Sequence, residues 1–274
     1  MLLLALRPIP GPIQILPGQT FYELSDTQRE QWISGGFARP VDMAAADDDV
    51  RPALATVAPP ALRNGVPNWT GMTVAILASG PSLTAEQCEA VGQWRAAGDD
   101  RRVIAINTTF RRAPFADMVY ACDGTYWRAK ALGAAQSHVQ EAVAAFGTGK
   151  IWTQEVSAAK EFGLNLIRSE PGQGLSRKAG VINQGMSSGY QAINIAFLAG
   201  ARRMMLLGFD CKGGHWHGDH PAPLSNRLPH KQWIERFVRL ARDLQSEGIT
   251  VVNCSPGTAL HAFPEQPLER ELAK

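Results

Sequence analysis

Cysteine is scarce in this chain: four in 274 residues, Cys88, Cys122, Cys211 and Cys254, far apart and without CxxC spacing. Thiols so placed, three of them in or beside apolar strand-like runs, read as small buried residues, so no disulfides and a reducing, cytoplasmic setting are expected. Net charge is almost absent as well, +2 with a pI near 8.4. A field this weak demands neither nucleic acid nor an anionic membrane as partner. Long hydrophobic runs are missing too. The opening MLLLALRPIP has no basic residue ahead of its apolar run and breaks at Arg7 and Pro8, too short for a signal peptide or a membrane-crossing helix. No internal repeat is detectable. What remains is 45% hydrophobic and 19% charged residues, enough for one sizeable core and a small appendage.

The chain is expected to divide near residue 70. Residues 1–42 alternate short apolar runs with Pro and Gly, around a short helix starting at Ser25, with Gln28 three residues on and Gly35–Gly36 as its stop. This reads as a small β-rich module. Residues 43–69 combine an Asp run, several prolines and no period, which suits a linker or a strap. Residues 70–274 form the main domain. There MTVAILA, RRVIAIN, ADMVYACD, GKIWTQE, LNLIRSE, RRMMLLGFD and ITVVNCS read as strands. Residues 84–97, 126–145, 188–199 and 230–246 read as helices. Near-continuous apolar runs imply strands covered on both faces, hence an α/β, doubly wound (Rossmann-like), mostly parallel sheet.

Each of those strands ends in small or polar residues: Ser79 and Gly80, Asn107, Cys122 and Asp123, Gln154 and Glu155, Asp210, Asn253 and Ser255. Parallel strands bring such ends to one edge, where open α/β sheets bind ligands. Residues 181–220 form the densest unit, a Ser/Gly turn, a helix, an apolar strand, then Asp210 and a histidine cluster. The turn Ser79–Gly80–Pro81–Ser82 precedes another helix. Glycine there lets backbone approach a phosphate, and the helix start offers unpaired N–H groups. A plain strand-to-helix turn capped by Ser82 or Thr84 is the competing explanation. Trp69 and Trp216 are candidates to stack on a base or sugar, and the Gly-rich loop 169–180 suits a mobile lid.

SGPSL, Asn107, the Ser-Ser-Gly helix start, LLGFD, the histidine loop and NCSPGTAL together resemble bacterial sialyltransferases of family 42. They also resemble the wider set holding motility-associated glycosyltransferases and archaeal-type 6-hydroxymethylpterin pyrophosphokinases. NQGMSSG and HWHGDHP resemble uncharacterised bacteriophage and prophage proteins, and PGQTFYELSDTQREQWISGGFARPV resembles a short phage module. The first resemblance implies a nucleotide-sugar donor, CMP-linked, held by Ser79, Gly80, Pro81, Ser82, Asn107, Ser187, Ser188 and Gly189. It implies an inverting reaction in which a loop histidine deprotonates the acceptor. His217 and His220 match best, with His215 and His230 behind them. The family's phosphate-stabilising tyrosines have no counterpart in CKGGHWHGD, so Lys212 or a spare histidine is expected to take that role, with Asp210 orienting a histidine or a ribose.

His215 to His220 also spell HxHxDH, the ligand string of metallo-β-lactamase-type hydrolases. It comes late in the chain, with only His230 and His261 to follow. No tightly bound metal is therefore expected, and a histidine near its ordinary pKa of about 6.5 is expected to act as base. A pyrophosphokinase would need clustered aspartates for magnesium, where this chain offers isolated Asp123 and Asp210. A noncatalytic nucleotide-binding phage protein is the third class. The partners expected are an activated sugar and an acceptor (glycan, protein, metabolite or modified DNA base), without a membrane span and with a homo-oligomer allowed.

Overall fold

The computed structural model describes strands Leu2–Ala5, Thr20–Tyr22 and Ala38–Pro40, and residues 62–130, 134–220, 222, 224 and 230–274. The chain forms two compact units, Met1–Pro60 and Ala61–Lys274. In the first, β1 (Leu2–Ala5) pairs antiparallel with β2 (Thr20–Tyr22) and β3 (Ala38–Pro40). The helix expected at Ser25 and most of the expected linker lie outside the described residues.

The second unit opens with a hairpin, β4 (Leu62–Arg63) and β5 (Val66–Pro67). Asn64 and Gly65 turn it with φ of 52° and 76°, the doubly positive pair that a two-residue hairpin loop requires. Arg63 donates to the Leu198 carbonyl at 2.7 Å, the Trp69 N–H donates to Ala199 at 2.7 Å, and Val66 and Trp69 are buried in the core. Residues 62–69 thus pack into the larger unit, and Trp69 has no surface to offer a base or sugar.

The central sheet has seven strands. They are β6 (Thr73–Leu77), β7 (Arg101–Ile106), β8 (Met118–Tyr120), β9 (Ile151–Thr153), β10 (Asn165–Leu166), β13 (Arg203–Leu207) and β14 (Thr250–Asn253), in spatial order 10-9-8-7-6-13-14. All neighbouring pairs are parallel. Alternate residues feed opposite faces: Val74, Ile76, Met204 and Leu206 go to one core, and Ala75, Leu77, Met205 and Leu207 to the other. That double burial is why the strands read as continuous apolar runs.

Helix α1 (Ala85–Ala96) starts at a capping box in which the Gln87 N–H donates to the Thr84 hydroxyl. A single helix was expected over 126–145. Two form instead, α2 (Gly124–Arg128) and α3 (His138–Phe146), because Ala129 turns extended and Ser137 with Gln140 builds a fresh capping box. Glu155 caps α4 (Val156–Phe162), a helix absent from the sequence reading. LNLIRSE also divides: its first half is edge strand β10, while β11 (Arg168–Glu170) pairs with β12 (Val181–Asn183) in a separate ribbon.

Helix α5 (Ser188–Ala199) runs from N-cap Ser187 to Gly200 in the left-handed region and is buried nearly all round. Helix α6 (His230–Ser246) covers the same face through Phe237, Leu240 and Leu244, and α7 (Leu268–Leu272) seats Leu268 on the other. No helix among the described residues is long and apolar enough to cross a membrane.

Loop 169–180 is pinned. The amide of Leu175 donates to Asp243, and Leu175 and Ser176 are buried. Buried Asn194 of α5 accepts from the amides of Ser176 (3.0 Å) and Asn183 (3.2 Å) and donates to the Ser176 carbonyl (3.0 Å). The mobile lid expected here is thus a strap tied to the core. Asn194→Leu would leave two amides and one carbonyl unpaired, so we expect a loss of about 3 kcal/mol. Urea unfolding checks this, and a change under about 0.5 kcal/mol would contradict it.

Candidate functional site

Strand β6 lies between β7 and β13, so the chain leaves it in one direction through β7 to β10 and in the other through β13 and β14. Such a reversal opens a crevice at the carboxyl ends of the two diverging strands. The loops there are cross-tied: Ala78 N–H donates to Leu207 O at 2.8 Å, and Gly80 N–H to Gly208 O at 2.9 Å. A third support comes from the end of β14. Ser255 accepts from the Phe209 amide at 2.8 Å, while Thr258 (2.7 Å) and Asn253 (3.3 Å) donate to the Phe209 carbonyl. Asn253 and Ser255, read as ligand-facing strand ends, are buried props for this loop.

A cavity of about 340 Å³ occupies the crevice, within the size range of small-ligand sites. Its walls include Ser79, Gly80, Asn107, Ser187, Ser188 and Gly189. Asp210, Lys212, His215 and His220 line it as well. Ser79 and His215, 136 residues apart, meet there. The Ser188 hydroxyl accepts from the Cys122 amide at 3.1 Å and reaches Asn107 Oδ1 at 3.4 Å, tying the ends of β7 and β8 to the start of α5. Ser187 accepts from the Tyr190 amide at 3.2 Å as the helix cap.

Pro81, Ser82 and His217 are not among the lining residues. Ser82 instead holds Asp210, its amide donating to Oδ1 at 3.2 Å and its hydroxyl to Oδ2 at 2.9 Å. Burial pushes the Asp210 carboxyl up, and these bonds from Ser82 oppose the shift. Asp210, only 3% exposed, is therefore braced by Ser82 at the edge of the cavity.

The histidine loop is held by its tryptophan. Trp216 donates its amide to Ser79 O at 3.0 Å and its indole N–H to Thr109 at 3.3 Å, beneath the Arg112 guanidinium 3.7 Å from the ring centroid. Trp216 is thus an anchor, not a platform for a base. On either side of it, the His215 and His217 rings stack at 5.0 Å, and His220 lies 4.8 Å from both. Ser79 Oγ is 3.1 Å from His215 Nδ1, and His217 Nε2 is buried without a hydrogen-bond partner.

Burial, then repulsion from the other rings, holds His217 down at about 3, and burial with repulsion from His215 holds His220 down at about 4. Neither is the base near 6.5 that was expected. Burial likewise lowers His138, which stacks on Tyr126. An unfolded chain takes up protons on these histidines near pH 6.5 that the native fold refuses, so stability is full above that pH and lost as pH falls below it. We expect the urea midpoint of chelator-treated protein to drop between pH 7 and about 5.5, above the range where carboxylates titrate. An unchanged midpoint would contradict neutral burial of these rings.

Other wall residues escaped the sequence reading as ligand contacts: Phe209, Tyr126, Met186, Trp233 and Phe237. Trp233 and Phe237 stand four apart on α6, a helical spacing that put them together but did not say what they faced. Among the described non-glycine residues with positive φ, Asn107 (50°), Met186 (69°) and Cys211 (49°) all line this cavity, and Asn64 turns the hairpin. Strained backbone of this kind concentrates where a ligand is gripped. A second depression of about 480 Å³, between α6 and the amino-terminal end of β14, is larger but has no strand carboxyl ends in its walls.

No protein-family model matches this sequence and no curated protein matches it, so the resemblance drawn from its motifs stands on those residues alone.

Proposed function

We propose that the larger unit is a nucleotide-dependent transferase that uses an activated sugar, with the nucleotide lying across the carboxyl ends of β6, β7 and β13. The observation that carries this reading is the meeting, on one cavity at the strand-order reversal, of Ser79–Gly80, Asn107 and the start of α5. Amides at the start of α5 suit an anionic group, and the exposed Lys212 on the wall suits the charge of a departing phosphate. In the reaction the acceptor oxygen bonds to the anomeric carbon, the carbon–oxygen bond to phosphate breaks, and the acceptor proton passes to a base. Asp123, whose exposed carboxylate lines the cavity, is the base in this proposal. The acceptor is a hydroxyl of a glycan, protein, metabolite or modified DNA base.

A melting screen with CMP, UDP, GDP, ADP and CMP- or UDP-linked sugars tests the proposal. Ligand at a hundred times its Kd adds about 2.7 kcal/mol, several degrees for a protein of this size. A pyrimidine nucleotide and its sugar should both shift the melt. A response to ADP alone would favour diphosphate transfer, and no response to any would remove the nucleotide reading.

A further inference from the structure

The geometry points to a zinc-class divalent cation site built by His215, His217 and His220 at the wall of the cavity. One nitrogen from each of the three side chains falls within a common span of 4.8 Å; metal–nitrogen bonds of about 2.0–2.1 Å set tetrahedral donors about 3.4 Å apart, so modest side-chain rotation closes the three on one ion. The fold gathers the three rings. Trp216, clamped between Arg112, Thr109 and the Ser79 carbonyl, fixes the ring on each side of it, and Gly218 with φ of 80° folds the chain back so that His220 returns to the pair.

Two further observations favour a cation over three merely packed rings. His217 Nε2 is a buried polar atom with no hydrogen-bond partner, a costly arrangement that a metal bond would relieve. Ser79 Oγ engages His215 Nδ1 at 3.1 Å, the kind of outer contact that orients a ligating imidazole through its other nitrogen. All-imidazole donors select zinc, cobalt, nickel or copper and are poor for magnesium or calcium. Three protein ligands leave a tetrahedral ion one further position. Because His215 and His220 line the cavity and His217 does not, that position opens toward the cavity, where it would take water or an anionic oxygen of the bound ligand. This departs from the expectation of no metal drawn from the lateness of HxHxDH in the chain, since these three side chains need no second half-domain to meet. It holds whether or not the cavity takes a nucleotide.

The test uses the untagged full chain, stripped with EDTA and titrated with Zn²⁺ against a chromophoric chelator, and with Co²⁺ followed by visible absorption. We expect one equivalent of zinc with sub-micromolar affinity, intense tetrahedral cobalt bands, and a rise in melting temperature on adding zinc. His217→Gln and, separately, His220→Gln should each weaken zinc binding about 100-fold and abolish the cobalt bands, while His261→Gln leaves both unchanged. Two variants guard against one failing to fold. Binding weaker than about 0.1 mM, or zinc affinity unaltered in a folded His217→Gln or His220→Gln protein, would overturn the site.

Discussion

Gly214→Trp is expected to abolish nucleotide binding while the protein keeps its melting temperature. Gly214 is exposed on the cavity wall, and a Cβ built on it meets nothing within 4 Å. Its φ is not in the left-handed region, so a side chain adds no backbone strain. An indole there projects into space that the nucleotide would occupy. We expect at least a hundredfold loss of affinity, about 2.8 kcal/mol, with unfolding free energy within about 0.5 kcal/mol of the parent, as for surface changes away from packed features. Calorimetric titration and a urea curve measure the two. Undiminished affinity in the folded variant would place the nucleotide elsewhere.

Gly80→Val should have the opposite profile, a failure of folding. A Cβ at residue 80 would stand 2.0 Å from Asp210 Oδ2 and 2.4 Å from the Gly208 carbonyl oxygen. The second obstacle is backbone, held in place by Asn253, Ser255 and Thr258 through Phe209, and cannot step aside. Relieving the first would drag Asp210 from Ser82 and leave a buried carboxyl without its partners. Overpacking of a few kcal/mol and an orphaned buried acid add to about 4 kcal/mol or more. Protein yield and the urea midpoint report it. A variant melting within about 1 °C of the parent would show that the crossing of β6 and β13 loops is looser than described. The motif had suggested that this glycine is needed for close approach of a ligand; the structure assigns it first to close approach of the chain to itself.

The helices at 188–199 and 230–246 were legible to the residue because their signals are local: Ser187 before and Gly200 after the first, an amphipathic run in the second. Strands β6, β7, β13 and β14 were legible because both faces are buried, so their inner runs Val74–Leu77, Val103–Ile106, Met204–Leu207 and Val251–Val252 are apolar throughout. The break between α2 and α3 carried a readable sign, Ser137 with Gln140, and so did the hairpin at Asn64–Gly65. Both were overridden by composition, an alanine-rich stretch in one case and a proline-rich one in the other. Other features had no local sign at all. LNLIRSE divides between two sheets only because β12 arrives later to pair with its second half. Ser82 and Asp210 are 128 residues apart, and their bond, which turns Ser82 away from the cavity wall, follows from topology. The low basicity of His217 and His220 comes from mutual packing and burial, which spacing in HWHGDH does not reveal.

Amide hydrogen exchange with and without saturating CMP or UDP locates the ligand without relying on any substitution. Protection is expected in residues 78–83, 106–110, 185–190 and 208–215, four of the segments that meet on the cavity. Unchanged exchange in all four, or protection confined to the depression between α6 and β14, would contradict a nucleotide site at the strand-order reversal.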